Sequence, residues 1–542
     1  VYCAKLDTEL SFEIRNKDLL GRIGLLRTKR GTIVTPSLLP VVNPNAQMIV
    51  PSELRDVFGF NALITNAYLI WRRFREEEDT PNVHELLNFD GIIETDSGAY
   101  QILQYGDVEV QPSEIVRFEE KLDSDIAVIL DVPTGAEGSK DRAKRTVDET
   151  LRRADEALHV ATRKDILWVG PVQGGVYTDL VSYSAREMAN RDFSIHALGS
   201  PTPIMQQYQF DVLVDMVIAA KRNLPPDRPL HLFGAGHPMM FALAVALGCD
   251  MFDSASYALF ARNGRYMTAQ GTAKLEELEY FPCNCPSCYK NTPESVRRLL
   301  LREREHFLAS HNLHSCFGEL QVVKQAIVDG RLWELVEARS RNHPALQRAF
   351  QRLLQYHYEL EKETPVRKKR GAFITTVESL QRPEVIRHQE RLLLRYARPA
   401  DARTVLLLPE SYVKPFREGA LINSMLESLG RRNDLHICAY NLSFGIIPQE
   451  LLDVFPLSQS VDALKPITTT IRYASKRIIG YLKAAGYKRC IMVIDETWQK
   501  KIAQSIKTQL ARKTRVRIVE EKYGDQPISN ALESLADRHR IS

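Results

Sequence analysis

Cysteine is scarce in this chain, 8 residues in 542, and five of them (Cys3, Cys249, Cys316, Cys438 and Cys490) are scattered without framework spacing. That scatter argues against a disulfide scaffold and points to a reducing compartment. Long hydrophobic runs are missing too: the longest apolar stretch, around Phe241 to Gly248, falls far short of the roughly 20 residues that span a bilayer. The first residues lack the basic-then-apolar pattern of a signal peptide. We therefore expect a cytoplasmic protein with no membrane contact. Neither sign of charge is in large excess, since 72 Lys and Arg stand against 68 Asp and Glu for a net +4. Such a balance permits a polyanionic partner without identifying one. No predicted strand is followed by a Gly-rich dinucleotide fingerprint or a P-loop, so no nucleotide cofactor is implied. What remains is ordinary globular composition, 44% hydrophobic and 26% charged, over a length that allows about two to four domains.

The other three cysteines are crowded together. Cys283, Cys285 and Cys288 stand in the run Phe-Pro-Cys-Asn-Cys-Pro-Ser-Cys, with a His-Asn pair following at His311 and Asn312. Thiolates two and three residues apart meet one ion only on a tight knuckle, which Pro282 and Pro286 favour by fixing φ. Three thiolates and an imidazole give a closed tetrahedral set, so the spacing predicts one structural zinc per chain. His311 is the preferred fourth ligand, while His306 and His314 lie close enough in sequence to compete.

Residues 1 to about 275 read as eight strands, each followed by a helical or irregular segment. The strands are expected at Thr32 to Val41, Ala62 to Tyr68, Gly91 to Thr95, Asp125 to Leu130, Asp165 to Val172, Phe193 to Leu198, Pro229 to Phe233 and Cys249 to Phe252. Amphipathic stretches such as Ala143 to Arg163 and Phe210 to Asn223 lie between them. This alternation predicts an α/β fold, a (β/α)8 TIM barrel, with a doubly wound open sheet as the alternative. Polar residues gather where such a barrel keeps its active site. Asp96 and Ser97 end the third strand, Asp131 follows the fourth, Gln173, Gly174 and Gly175 the fifth, Gly199 the sixth, Gly234 to Gly236 the seventh, and Asp253 the eighth. A lone Asp there could be a helix cap. Three on one face, beside Gly-rich turns that let backbone N–H groups approach a flat ligand, point to a pocket.

The runs Thr95-Asp-Ser-Gly-Ala-Tyr-Gln101, Ser124-Asp-Ile-Ala-Val-Ile-Leu-Asp131, Val172-Gln-Gly-Gly175 and Met251-Phe-Asp-Ser-Ala-Ser-Tyr257, with Arg262 and Arg265 and the Cys-x-Cys-x-x-Cys knuckle, resemble tRNA-guanine transglycosylases. The resemblance covers about residues 10 to 350, and Ser254-Ala-Ser-Tyr257 looks like the archaeal, archaeosine-making branch. It implies a zinc-containing barrel that exchanges a guanine in the D arm of tRNA for 7-cyano-7-deazaguanine, without a nucleotide cofactor. Asp253 matches the family nucleophile for ribose C1′, and Asp96 the general acid and base. The base pocket would be formed by Asp131, Gln173, the Gly174 N–H, Ser97, Tyr100 as a stacking ring, and the loop Gly199-Ser-Pro-Thr-Pro-Ile204. Pro201 and Thr202 depart from the small aliphatic residues usual there, and Pro201 has no N–H to offer a nitrile. Arg262 and Arg265, read as a helical turn apart, would hold tRNA phosphates beside an extruded base.

From Pro365 to Ala400, nine Lys or Arg face three Glu, a second candidate for backbone affinity. We expect a barrel unit over 1–360 with its zinc-binding part at about 275–345, a basic connecting module over 361–402, and a compact α/β domain over 403–542. The run Leu442 to Pro456 resembles the domain that follows the barrel in archaeal transglycosylases and archaeosine synthases. The last forty residues lack the Gly-rich β-barrel pattern of an RNA-binding PUA domain, so the expectation is either independence from that domain or a separate PUA-domain chain. The resemblance also implies a homodimer formed near the zinc region. An archaeosine synthase-like amidinotransferase and a non-catalytic tRNA-binding partner subunit are the alternative functions.

Overall fold

The computed structural model describes residues 11–77, 80–99, 110–135, 138–410, 418–429 and 432–520. The chain divides into two compact units, Val1–Gln355 and Tyr356–Ser542. Among the described residues no helix is long and apolar enough to cross a membrane.

The first unit is built on a closed barrel of eight parallel strands: β1 (Ser37–Val42), β2 (Ala62–Asn66), β3 (Ile92–Asp96), β4 (Ile126–Val128), β5 (Leu167–Val172), β6 (Ile195–Leu198), β7 (Leu230–Leu232) and β8 (Met251–Ser254). The ring closes where Met251 to Ser254 of β8 pair with Ser37 to Pro40 of β1. All eight expected strands are present, with one substantive correction. The expected strand Thr32 to Val41 is two elements that meet at Thr35-Pro36. Gly31–Val34 pairs antiparallel with Gly21–Thr28, which pairs with Phe12–Asp18, and only Ser37–Val42 enters the barrel. That three-stranded sheet serves the barrel directly, because Leu26 and Ile33 pack with Leu39, Ile64, Ile92, Ile126, Val169 and Met251 in one core.

The two-residue period of a strand explains how charge enters this interior. Along β3 the inward positions run Ile92, Glu94, Asp96, and along β8 they run Met251, Asp253. The first of each belongs to the apolar core, and the later ones rise toward the C-terminal rim, where TIM barrels keep their chemistry. The helices outside follow the other period. Lys140–Val160 is capped by Ser139, whose Oγ accepts from the Arg142 N–H, and buries Ala143, Val147, Thr150, Leu151, Ala154 and Ala157 on one stripe.

The second unit holds a five-stranded sheet in the order Gly445–Pro448, Leu435–Asn441, Thr404–Pro409, Arg489–Ile494, Arg515–Glu520, parallel except for the antiparallel first edge. Alternate residues serve opposite faces. Val405, Leu407, Cys438 and Met492 pack with Ile471, Ala474, Ile478, Ile502 and Ile506 of the helices Thr468–Ala485 and Gln499–Leu510. Leu406, Leu408, Ile437 and Val493 pack with Ile422 and Met425 of Ala420–Leu429 on the other side. A sheet covered on both faces needs continuous apolar strands, and Thr404–Pro409 is buried at every position.

The basic stretch before this sheet is partly internal, contrary to expectation. Lys368 and Arg382 both pair with Glu384, and Arg387 pairs with Glu361; their side chains are 2%, 0% and 8% exposed. Arg367, Lys369, Arg370, Arg391 and Arg395 are the exposed members. Three of the nine expected cations thus hold the unit together.

Candidate active site and metal-binding knuckle

At the C-terminal rim of the barrel lies a cavity of about 1150 Å3 whose lining includes Asp96, Asp131, Gln173, Gly199, Pro201, Thr202, Asp253, Arg262 and Arg265. Residues from five different strand ends therefore converge on one space. Asp96 closes β3, accepts from the Asn66 side-chain amide at 3.0 Å and from the Gly98 N–H, and is only partly exposed. Its withdrawal from water, together with the charges of Asp131 and Asp253, pushes its pKa up to about 7. Asp131 is 4% exposed, and burial raises it to about 6 against the opposing hydrogen bond from the Gln173 amide. The site thus holds three carboxyl groups that cannot all ionise without cost.

Gln173 is fixed from several sides. Its Oε1 accepts from the Thr134 N–H and the Ser200 hydroxyl, both at 3.0 Å, and its Nε2 donates to Asp131. Ser200 adopts φ 61°, a left-handed conformation that a non-glycine residue enters only when its surroundings hold it, and its Oγ also accepts from the Gly135 N–H at 3.1 Å. Gly199 is where that amide needs room, because a Cβ there would stand 2.1 Å from Gln173 Nε2. Gly199→Ala should displace Gln173 and, with it, the hydrogen bond that orients Asp131. A misplaced first contact costs on the order of 10- to 100-fold in kcat/KM for any ligand of this pocket, and steady-state kinetics with varied base would read it.

Not every expected residue faces the cavity. The Gly174 N–H donates to Thr134 Oγ1 at 3.1 Å, so it does not fit the expected role of meeting a base carbonyl. Ser97 is fully buried, its hydroxyl donating to the Ile129 carbonyl at 3.1 Å, where it ties β3 to the segment after β4. Tyr100 lies outside the described residues. Arg262 ends the helix Ser256–Arg262 and Arg265 opens the hairpin strand Arg265–Thr268, so they do not share a helix face. Both reach the cavity mouth, Arg265 with its guanidinium 5.3 Å from the centre of the Phe260 ring.

Asp253 on β8 makes contacts that its sequence neighbours do not suggest. Its Oδ1 accepts from the Gly234 N–H at 2.8 Å and lies 3.1 Å from His231 Nε2. Gly234 at φ 69° makes that turn. His231 is fully buried on β7, and its Nδ1 lies 3.2 Å from Oε1 of Glu94, equally buried on β3. Burial alone would lower this imidazole, but the two carboxylates on either side raise its pKa to about 10. Sequence reasoning missed Glu94 and His231, as well as Asn66 and Thr134, and included Ser200 only as part of the loop 199–204. For Glu94 and His231 the signal was a titratable residue inside a predicted strand, after Ile92-Ile93 in one case and between Leu230 and Leu232 in the other.

The knuckle comes together as a donor set. One ligand atom from each of Cys283, Cys285, Cys288 and His311 lies within 4.8 Å of the others, an arrangement that could hold a metal ion. His311 sits on the helix Leu301–Asp329, and its Nδ1 is 3.6 Å from Cys285 Sγ and 3.4 Å from Cys288 Sγ. Its other nitrogen, Nε2, is 2.8 Å from the Met267 carbonyl, which fixes the tautomer with Nδ1 free to ligate. Tyr266 stacks on the ring at 3.5 Å between centroids, with its hydroxyl 3.3 Å from Cys288 Sγ. The competing histidines are elsewhere: His306 is 3.8 Å from Glu53, and His314 packs on Phe58.

Residues 18–345 match the family model described as queuine tRNA-ribosyltransferase. The chain is 47% identical over 385 residues to a tRNA-guanine(15) transglycosylase of Thermococcus kodakarensis, an alignment that covers 71% of this chain and 66% of that protein. It is 42% identical to the protein of the same name from Methanocaldococcus jannaschii, over 83% of this chain and 68% of the relative. The corresponding figures for the Sulfolobus acidocaldarius protein are 47%, 70% and 76%. Since the family model spans more than half of the sequence and takes in the barrel and the Cys3His knuckle alike, the chain belongs to the queuine tRNA-ribosyltransferase family.

Proposed function

We propose that this chain is a tRNA-guanine transglycosylase that replaces the guanine at position 15 of tRNA, as the names of its relatives describe for them, with 7-cyano-7-deazaguanine. The observation that carries the reading is the convergence of Asp96, Asp131 and Asp253 on one cavity. An ionised Asp253 oxygen attacks ribose C1′ as the bond from C1′ to N9 breaks, giving a sugar ester and free guanine. Asp96 gives its proton to the departing base and takes one from the incoming base. The incoming nitrogen then attacks C1′ and the Asp253 carboxylate leaves, so atoms and charge balance and no energy source is needed. Asp131 accepts from the N1–H and amino donors that both bases share, and Gln173, positioned by Thr134 and Ser200, holds Asp131 in place. Pro201 and Thr202 line the wall nearest a 7-substituent; Pro201 has no N–H to donate, while the Thr202 hydroxyl can. Arg262 and Arg265 at the mouth attract tRNA phosphates, and the target base is turned out of its stack to enter.

Incorporation of radiolabelled guanine into unmodified tRNA tests this reading. Exchange is expected, and its absence with intact, folded protein overturns it. An amidinotransferase or a non-catalytic subunit would not exchange guanine. Because Asp96 must carry a proton to act as acid and its pKa lies at about 7, the exchange rate should fall as pH rises through 7. A pH–rate profile of kcat checks this, and a rate still climbing at pH 8 would remove Asp96 from the role.

The ion in the knuckle is, on this reading, zinc: three thiolates and one imidazole suit it and leave no open position for substrate. A second copy of the chain is the expected partner near the knuckle, where Tyr280 is 84%, Tyr289 68% and Leu300 74% exposed. A separately supplied PUA-domain protein would add distant tRNA contacts, and repeating the exchange assay with it tests that partner.

A further inference from the structure

Three carboxyl groups share the cavity, yet the proposed chemistry asks for different charges on them. One must be an anion to attack C1′, and another must carry a proton for the departing base. The neighbouring Asp131 and Asp253 help to keep the proton on Asp96, so something else must favour the anion at the nucleophile that shares the cavity with it. Beneath Asp253, and not beneath the other two, lies a buried imidazole with a second carboxylate behind it: Asp253 Oδ1 to His231 Nε2 at 3.1 Å, and His231 Nδ1 to Glu94 Oε1 at 3.2 Å. His231 and Glu94 are both 0% exposed. Among the described residues neither oxygen of Glu94 and neither nitrogen of His231 has a hydrogen bond of good geometry, so what joins the two buried side chains is their 3.2 Å approach as an ion pair.

We propose, resting on the transglycosylase reading, that Glu94 and His231 are positioning residues that hold an imidazolium under Asp253 and so keep this nucleophile an anion beside a protonated Asp96. Both contacts to Asp253, from His231 and from the Gly234 N–H, fall on Oδ1, which leaves Oδ2 to form the bond to C1′. Glu94 is needed for the step that follows. When Asp253 becomes an ester its charge is gone, and an imidazolium without Glu94 would be a buried, unpaired cation; with Glu94 it stays charged and favours return of the carboxylate when the second base attacks. The arrangement is symmetric in the two half-reactions. The titratable groups around His231 are Glu94 and Asp253; Asp96 feels the charge of both, and Glu119 that of Asp96 and Glu94. These neighbours are acids, so the surroundings favour the protonated ring over the neutral one.

The test uses the full chain. Titration of 15N-labelled histidines by NMR, with His231 assigned through His231→Gln, should find His231 still protonated at pH 8.5 or above, roughly two units beyond an ordinary histidine; a neutral ring at pH 7 overturns the proposal. His231→Gln should lower kcat for guanine exchange on the order of 100-fold, leave tRNA affinity within about twofold, and move the acidic limb of the pH–rate profile upward, because the ring that stands 3.1 Å from the Asp253 carboxylate is gone. Glu94→Gln should shift the same limb in the same direction. An unchanged kcat and profile in folded His231→Gln also overturns it, and a merely structural role would alter stability without moving that limb. If the substituted chains do not fold, the unsubstituted protein still decides: no histidine ring remaining protonated at pH 8.5 overturns the proposal. Should the unsubstituted chain fail to exchange guanine, the reading of its activity falls, while the ionisation of His231 is still measured independently.

Discussion

Asp253→Asn is expected to reduce guanine exchange by about 10⁴-fold or more while tRNA binding stays within a few-fold of the original. The magnitude follows from the kind of group removed, since loss of a nucleophile that acts as a unit with its partners takes away nearly the whole chemical step. An amide keeps the size of the carboxylate, can still accept the Gly234 N–H, and is a poor nucleophile towards a sugar carbon. It also removes the negative charge against which His231 is balanced, leaving Glu94 as the one neutralising partner. The covalent tRNA adduct that the unsubstituted enzyme should yield on denaturing gels would be absent. Arg262 and Arg265, proposed to contact tRNA phosphates, are untouched, so affinity measured by filter binding separates chemistry from docking. Exchange at even a tenth of the original rate would move the nucleophile to another residue.

Asp96→Asn would give a different signature from the same cavity. Both substitutions stop turnover, but only the nucleophile's removal abolishes adduct formation with a base whose departure needs no proton. The distinction matters because position alone does not assign the roles: Asp96 and Asp253 both end strands of one barrel. Their surroundings differ. Asp96 receives neutral donors, the Asn66 amide and the Gly98 N–H, and burial raises it to about 7. Asp253 has a buried imidazole at 3.1 Å.

How far the sequence could go is seen in these same residues. The strands were legible because each is a short apolar run with turn residues at its end, and Asp96, Asp131, Gln173, Gly199 and Asp253 were legible because a barrel places such ends on one face. The first strand was read too long because Thr32 to Val34 and Ser37 to Val41 are alike in hydrophobicity, and only the pairing of Ile33 with Leu26 separates them. Glu94 and His231 were invisible for another reason. They are 137 positions apart in the sequence and meet only because β3 and β7 face each other across the barrel. The basic run from 365 to 400 misled in the opposite direction, since composition cannot tell Arg382, fully buried against Glu384, from the exposed Arg367.

Cys285→Ser is expected to lose the bound metal and to lower the Tm of the barrel unit on the order of 5 °C or more, because metal binding at a closed site is coupled to folding of the segment that supplies the ligands. Metal content by mass spectrometry should fall from one ion per chain toward none. The consequence should reach the cavity, and the connection is the residue next to the ligand. His311 and Asn312 are consecutive on one helix; while His311 faces the thiols, Asn312 accepts from the Met267 N–H at 2.8 Å and donates to the carbonyls of Arg265 and Tyr257, each at 3.2 Å. Those three backbone groups belong to the helix that follows Asp253 and to the hairpin that carries Arg265. A metal held by the knuckle would fix the rotation of this helix and with it the two arginines at the cavity mouth, without touching the part of the cavity around Asp131 and Gln173. Cys285→Ser should accordingly raise the KM for tRNA more than the KM for the free base, and Asn312→Ala should do the same while keeping its metal. Equal changes in both constants, or unchanged stability in a metal-free protein, would break the link between the knuckle and the mouth of the site.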